Sequence, residues 1–137
     1  MRTPSAESEA SAQPLLGRRA RLQHVSVAVP PDAAARARAF YGALLGLEER
    51  DVLPALDPES FIWYRIGEYV ELHLMLTEEA ARERAHFCLD VDDLEALRRR
   101  LEESSVQTRD GSQIVGRPRF TCRDPFGNLI EFTTTQR

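Results

Sequence analysis

Five side chains carry most of the chemistry this sequence can offer: His24, Glu71, His73, His86 and Glu131. Imidazole and carboxylate together suit a divalent metal such as Zn, Ni, Mn, Fe or Co, and either group can move a proton. Their spacing is patterned. His24 and Glu71 lie 47 positions apart, His86 and Glu131 lie 45 apart, and a histidine–glutamate order that recurs at nearly one interval suggests an internal repeat. Taken singly, each residue has an ordinary reading. A histidine opening a strand is usually a core or rim residue, and Glu131 alone could pair with Arg65, Arg119 or Arg123.

The elements that must position these groups follow from periodicity. Residues 119–132 read as a β-hairpin, with Asp124-Pro125 opening a type I turn and Gly127 or Asn128 supplying the left-handed residue. Leu22 to Val29 alternates strictly, with Val25, Val27 and Val29 on one face and His24, Ser26 and Ala28 on the other. Pro30-Pro31 ends that strand, and Asp32 is a candidate N-cap for a helix striped by Phe40, Tyr41, Leu44 and Leu45 and closed by Gly46. A proline-punctuated loop leads to strands at 61–66 and 69–76, where Glu71, His73 and Met75 share a face. The charged stretch 77–85 connects to a strand from His86 to Val91. A helix follows, with Asp92 and Glu95 at capping-box spacing and Leu94, Leu97 and Leu101 as its apolar stripe. Val106 to Arg109 is a short strand before the hairpin.

Strand, helix, then two or three strands thus occurs twice. The expected fold class is α+β: two tandem βαβββ modules, about 21–77 and 85–135, forming a cupped mixed sheet with helices on its outer face. In that arrangement the His/Glu faces meet in a partly polar hollow, where His24, Glu71, His86 and Glu131 would make an N₂O₂ site for one divalent metal. Such a metal would act as a Lewis acid or activate water.

The motifs Leu-Gln-His24-Val, Ala-Phe-Tyr-Gly-Ala-Leu-Leu-Gly-Leu (39–47), Glu71-Leu-His73-Leu, His86-Phe-Cys-Leu-Asp-Val and Asp124-Pro-Phe-Gly-Asn-Leu-Ile-Glu131 resemble the vicinal oxygen chelate superfamily. This is the glyoxalase I, bleomycin resistance and ring-cleaving dioxygenase group, and the likeness runs from about Leu22 to Thr134. It implies paired βαβββ modules around a metal, with ligand roles on His24, His86 and Glu131 and on Glu71 or, two positions along the same face, His73. It further implies a glyoxalase-like lyase or isomerase acting on a small substrate with vicinal oxygens, Glu131 or Glu71 moving the proton, and commonly a homodimer. Antibiotic-binding or antibiotic-modifying proteins of the bleomycin or fosfomycin type, and ring-cleaving dioxygenases, are the alternatives. Trp63, Arg65, Met75, Arg119 and Arg123 are candidates for the substrate pocket, Phe61 beside them, and each has an equally plain reading as core or surface ion pair.

Composition bounds the rest. The chain has 137 residues and a net charge of −4, enough for one domain with a sizeable core and no basic surface for nucleic acid. All 18 basic residues are arginine, which excludes a lysine nucleophile or Schiff base. No apolar run suits a membrane span and no signal peptide is evident, so a cytoplasmic protein without membrane contact is expected. Cys88 and Cys122 fall on opposite faces and read as free thiols, Cys88 as a small buried hydrophobe. Residues 1–20 are polar, alanine-rich and nearly without apolar anchors, and read as a disordered or loosely packed tail ahead of a domain at 21–137.

Overall fold

The computed structural model describes residues 22–79, 84–111, 115–116 and 118–134, so the expected tail lies outside the described residues. The chain order is β1 (His24–Val29), α1 (Ala34–Ala37) widening into π-helical turns over Arg38–Leu44, β2 (Glu48–Arg50), β3 (Phe61–Ile66) and β4 (Val70–Leu76). The second half repeats it: β5 (His86–Asp90), α2 (Leu94–Glu103), β6 (Thr108–Asp110), β7 (Arg119–Arg123) and β8 (Leu129–Thr133). Each half is a four-stranded sheet, ordered β1-β4-β3-β2 and β5-β8-β7-β6. β1 runs parallel to β4 and β5 parallel to β8, and the remaining pairs are antiparallel. Both halves are therefore βαβββ units, as their alternation predicts. β2 is an addition to the strands named from sequence, because Glu48-Glu49-Arg50 carries no apolar alternation to announce it.

The valine and leucine faces go inward. Val29, Ile62, Tyr64, Leu72 and Leu74 of the first module join Phe87, Leu101, Phe120, Ile130 and Phe132 of the second in one buried cluster, with Phe40 and Tyr41 among them. The π-helical turns, in which Leu45 N–H reaches Phe40 C=O, place the adjacent Phe40 and Tyr41 both in this core. Gly46 then leaves the helix at φ +76°, the left-handed conformation that favours glycine.

Two caps differ from the sequence reading by one residue. α1 is capped by Ala33 with no side-chain bond, not by Asp32. α2 is capped by Asp93, whose Oδ1 accepts from Ala96 N at 3.0 Å, not by Asp92. Either aspartate of the pair Asp92-Asp93 satisfies the sequence rule, and the extended backbone of Asp93 decides between them.

The modules are joined by a buried polar knot. Asp124 Oδ2 accepts from Tyr41 Oη at 2.6 Å and from Asn128 Nδ2 at 2.8 Å, and Asn128 Nδ2 also donates to Ala28 C=O at 2.8 Å. The hairpin turn of the second module thereby holds both the helix and β1 of the first.

Candidate functional site

Pleating sends the other face of each sheet outward. In the first module the ladder sets His24 opposite Glu71 and Ser26 opposite His73, and across β3 sets Trp63 opposite His73 and Arg65 opposite Glu71. The rings stack into a column. Trp63 lies on His73 with centroids 4.1 Å apart and planes 6° apart, and His73 lies on His24 at 4.3 Å and 13°. Glu71 Oε1 sits 3.3 Å from His73 Nε2 and accepts from Gln23 Nε2 at 3.3 Å, while Gln23 Oε1 meets His24 Nδ1. Trp63 is only 8 % exposed and the His73 side chain 12 %. Burial lowers the His73 pKa, the Glu71 hydrogen bond opposes the shift and His24 adds to it. The stacked rings thus present a row of aromatic edges to solvent. Above it opens a cleft of about 930 Å³, whose lining includes Phe61, Leu53, Leu56 and Asp51.

In the second module the polar groups gather differently. Glu131 Oε1 accepts from Arg119 Nη1 at 3.0 Å, and Oε2 lies 3.3 Å from His86 Nε2. His86 Nδ1 is 3.1 Å from Arg84 C=O. The Glu131 side chain is 14 % exposed and that of His86 44 %. Gly111 leaves room for this arrangement, since a Cβ there would meet Arg119 Cγ and Nε at 2.9 Å. Cys88 faces Glu131 across the ladder and is exposed, which corrects the reading of it as a buried residue. The cause is strand parity: Phe87 and Leu89 take the inward positions. Its thiol pKa is raised by partial desolvation and by Glu131, with Arg119 opposing.

Register also corrects the alignment of the repeat. His24 pairs with Glu71, but His86 pairs with Leu129, and Glu131 falls one pleat further on, opposite Cys88. The position equivalent to Glu131 in the first module is therefore His73, and Glu71 corresponds to Leu129. Counting along the chain could not reveal a two-residue offset between strands that carry the same residue type.

Of the residues singled out from sequence, His24, Glu71, His73 and Trp63 come together in the first cleft, and His86, Glu131 and Arg119 come together on the second sheet. Met75 lines a smaller hollow of about 230 Å³ between β1 and β5, along with His86 and Leu129. Arg65 bonds Gly67 C=O and Arg123 bonds Gly127 C=O, each at its own hairpin turn. Gln23 and Asp51 were not anticipated, and no signal marks them beyond proximity to His24 and to β2. Among the described residues, no three histidine, cysteine, aspartate or glutamate side chains gather in a way that could hold a metal ion. One chain does not bring His24, Glu71, His86 and Glu131 to a common point, and its residues alone do not fit the four-ligand set.

A glyoxalase family protein from Bacillus anthracis, itself putative by name, is 30% identical, covering 85% of this chain and 95% of its own with a TM-score of 0.77. At 21% identity, with 85% and 96% covered and a TM-score of 0.67, TnmS3, an antibiotic binding protein from Streptomyces sp. CB03234, shares the fold. So does lactoylglutathione lyase from Agrobacterium tumefaciens, at 23% identity, 83% and 92% covered and a TM-score of 0.65. No curated protein matches the chain. Residues 21–132 match the family model, and with the paired βαβββ modules they establish that the chain belongs to the Glyoxalase/Bleomycin resistance protein/Dioxygenase superfamily.

Proposed function

We propose that this protein binds a small, partly planar molecule in the cleft of the first module. The observation that supports this reading is the Trp63–His73–His24 column, which offers a row of ring edges with Glu71 beside it. A planar group laid across such a row gains edge-to-face contact and desolvation, and the carboxylate fixes its orientation by accepting a hydrogen bond. Binding of an antibiotic, as by the antibiotic binding protein TnmS3, falls within this class. Trp63 is the only tryptophan in the chain, so intrinsic fluorescence reports on the cleft directly. Titration with a panel of planar heteroaromatic compounds is expected to give saturable quenching by at least one compound, and His73→Ala should weaken it about tenfold. A flat response across the panel would count against the reading.

A second reading, a divalent-metal-dependent lyase or isomerase for substrates with vicinal oxygens, is supported by the two histidine–carboxylate clusters on matching faces. It requires the open face of one module to meet that of another, which a homodimer in the cytoplasm could provide. When bound, a metal would supply Lewis acidity. The chain's own residues would hold it through His24, His86, Glu131 and one of His73 and Glu71, and the register favours His73, the position equivalent to Glu131. Elemental analysis of protein purified without chelator tests this. Loss of metal in His73→Ala but not in Glu71→Ala would support the register argument, and protein that never holds metal would remove the reading.

A further inference from the structure

The cleft of the first module has an apolar end that the ring column does not account for. Leu53 and Leu56, 59 % and 38 % exposed, line it together with Phe61. None of the three belongs to the hydrophobic core or to the half-buried side chains packed against it. The loop backbone fixes where the leucines stand. Leu53-Pro54-Ala55-Leu56 is a turn in which Leu56 N–H donates to Leu53 C=O at 2.9 Å, and in the next, Asp57-Pro58-Glu59-Ser60, Ser60 N–H donates to Asp57 C=O at 3.1 Å. Each turn has proline at its second position, where the fixed φ suits it. The Asp57 carboxylate braces the second turn, accepting from Glu59 N at 3.0 Å and from Ser60 Oγ at 2.8 Å. Ser60 C=O accepts from Leu76 N at 3.0 Å, tying the loop to β4. The charged neighbours do not claim this end: Glu49 pairs with Arg38 and Arg50 with Glu48, and Asp51 is exposed to water. Register orders the cleft by polarity. Phe61 stands level with Met75, Trp63 with His73, and Arg65 with Glu71, so the apolar end and the Glu71 carboxylate lie four residues, roughly 13 Å, apart with the rings between them.

We propose that Leu53, Leu56 and Phe61 form an apolar subsite, and that the ligand class of this cleft is an amphipathic one: a planar head with a hydrogen-bond donor for Glu71 and an aliphatic substituent reaching the leucines. This inference rests on the cleft being a small-molecule site. Exposed leucines held in a braced turn lose little further freedom when a ligand covers them, so the area they bury goes into affinity. The test follows Trp63 fluorescence during titration with benzimidazole, indazole and 2-aminoquinoline, each bare and with ethyl or n-butyl on the carbocyclic ring. Affinity is expected to rise about three- to fourfold per methylene from ethyl to n-butyl, the gain of a buried CH₂. The double variant Leu53→Ser, Leu56→Ser should abolish that rise while binding the bare compounds within about twofold of the parent chain. Leu22→Ser, at a leucine 60 % exposed and outside the lining, should keep it. Bare compounds that quench with no gain from the alkyl chain would overturn the subsite and leave the cleft reading standing; no quenching by any compound would remove both. The subsite is also overturned if the rise survives the double variant or is lost equally in Leu22→Ser. Sedimentation of the double variant supplies the last check: a dimer lost on replacing the leucines would assign them to a second copy of the chain.

Discussion

At the scale of single residues, the two buried tyrosines show how partners decide what a hydroxyl is worth. Tyr41 donates to Asp124 at 2.6 Å, and burial, reinforced by the adjacent carboxylate, raises its pKa so that it remains a donor. Tyr64 is as deeply buried, yet its hydroxyl has no hydrogen-bond partner among the described residues. A hydrogen bond to a charged group contributes roughly 1.5–3 kcal/mol, whereas an unpartnered buried polar atom only costs. Tyr41→Phe is therefore expected to lower stability by about 1.5–3 kcal/mol in urea denaturation, and Tyr64→Phe to be neutral or stabilising. The reverse order would contradict the hydrogen-bond assignment. The sequence marked Asp124, Gly127 and Asn128 as turn residues, which they are. It could not show that the Asp124 carboxylate reaches Tyr41, because nothing local links residues 83 positions apart, and Tyr41 read simply as helix packing. Likewise it placed His24, His73 and Glu71 on one face by alternation, but the stacking of three rings arises only where β4 pairs with both β3 and β1.

Among elements, alternation and helix periodicity made nearly every strand and both helices legible, since each has one apolar face. What escaped lacked that contrast: β2, made of Glu48-Glu49-Arg50, and the choice between neighbouring aspartates at the start of α2. The hairpin between β7 and β8 was read correctly down to its turn. Asp124 C=O accepts from Gly127 N at 3.2 Å, and Asp124 N donates to Asn128 C=O at 2.9 Å. Gly127 stands at φ +94° with open space around it, so an alanine there meets backbone strain and no clash. Gly127→Ala should cost about 1 kcal/mol or somewhat more, and because the same turn holds Ala28 and Tyr41 of the first module, the loss should appear in a single transition shared by both modules. Separate unfolding of the halves, seen as two transitions by calorimetry, would show that the hairpin does not couple them.

For the whole molecule, one core runs beneath both sheets while two chemically distinct faces stay open. The outer edge strands are three residues each and charged, features that discourage edge-to-edge pairing; a homodimer is thus expected to use the open faces, and sedimentation showing only monomer at micromolar concentration would count against it. The shared core also sets how stability responds to alkali. Burial pushes the Tyr64 pKa up to about 12 and the Cys122 thiol up to about 12, from 10.0 and 9.0, and Tyr41 moves in the same direction. These groups stay neutral in the folded chain while the unfolded chain releases their protons. Their contribution is fully present below pH 9, begins to fall as Cys122 passes its unfolded value, falls more steeply above pH 10, and is lost as pH rises through about 12. Within its window each group adds a slope of about 1.4 kcal/mol per pH unit. A lysine-rich protein would blur this signal, but the chain has no lysine, only three tyrosines and two cysteines, and the arginines remain charged throughout. Urea denaturation at intervals from pH 8 to 11 should show stability holding to about pH 9 and then declining. Tyr64→Phe should remove its share of the decline above pH 10 while leaving the plateau in place. A wild-type curve that stays flat to pH 11, or a variant that declines as steeply as the parent, would mean that the tyrosine and thiol are not held in the core as described.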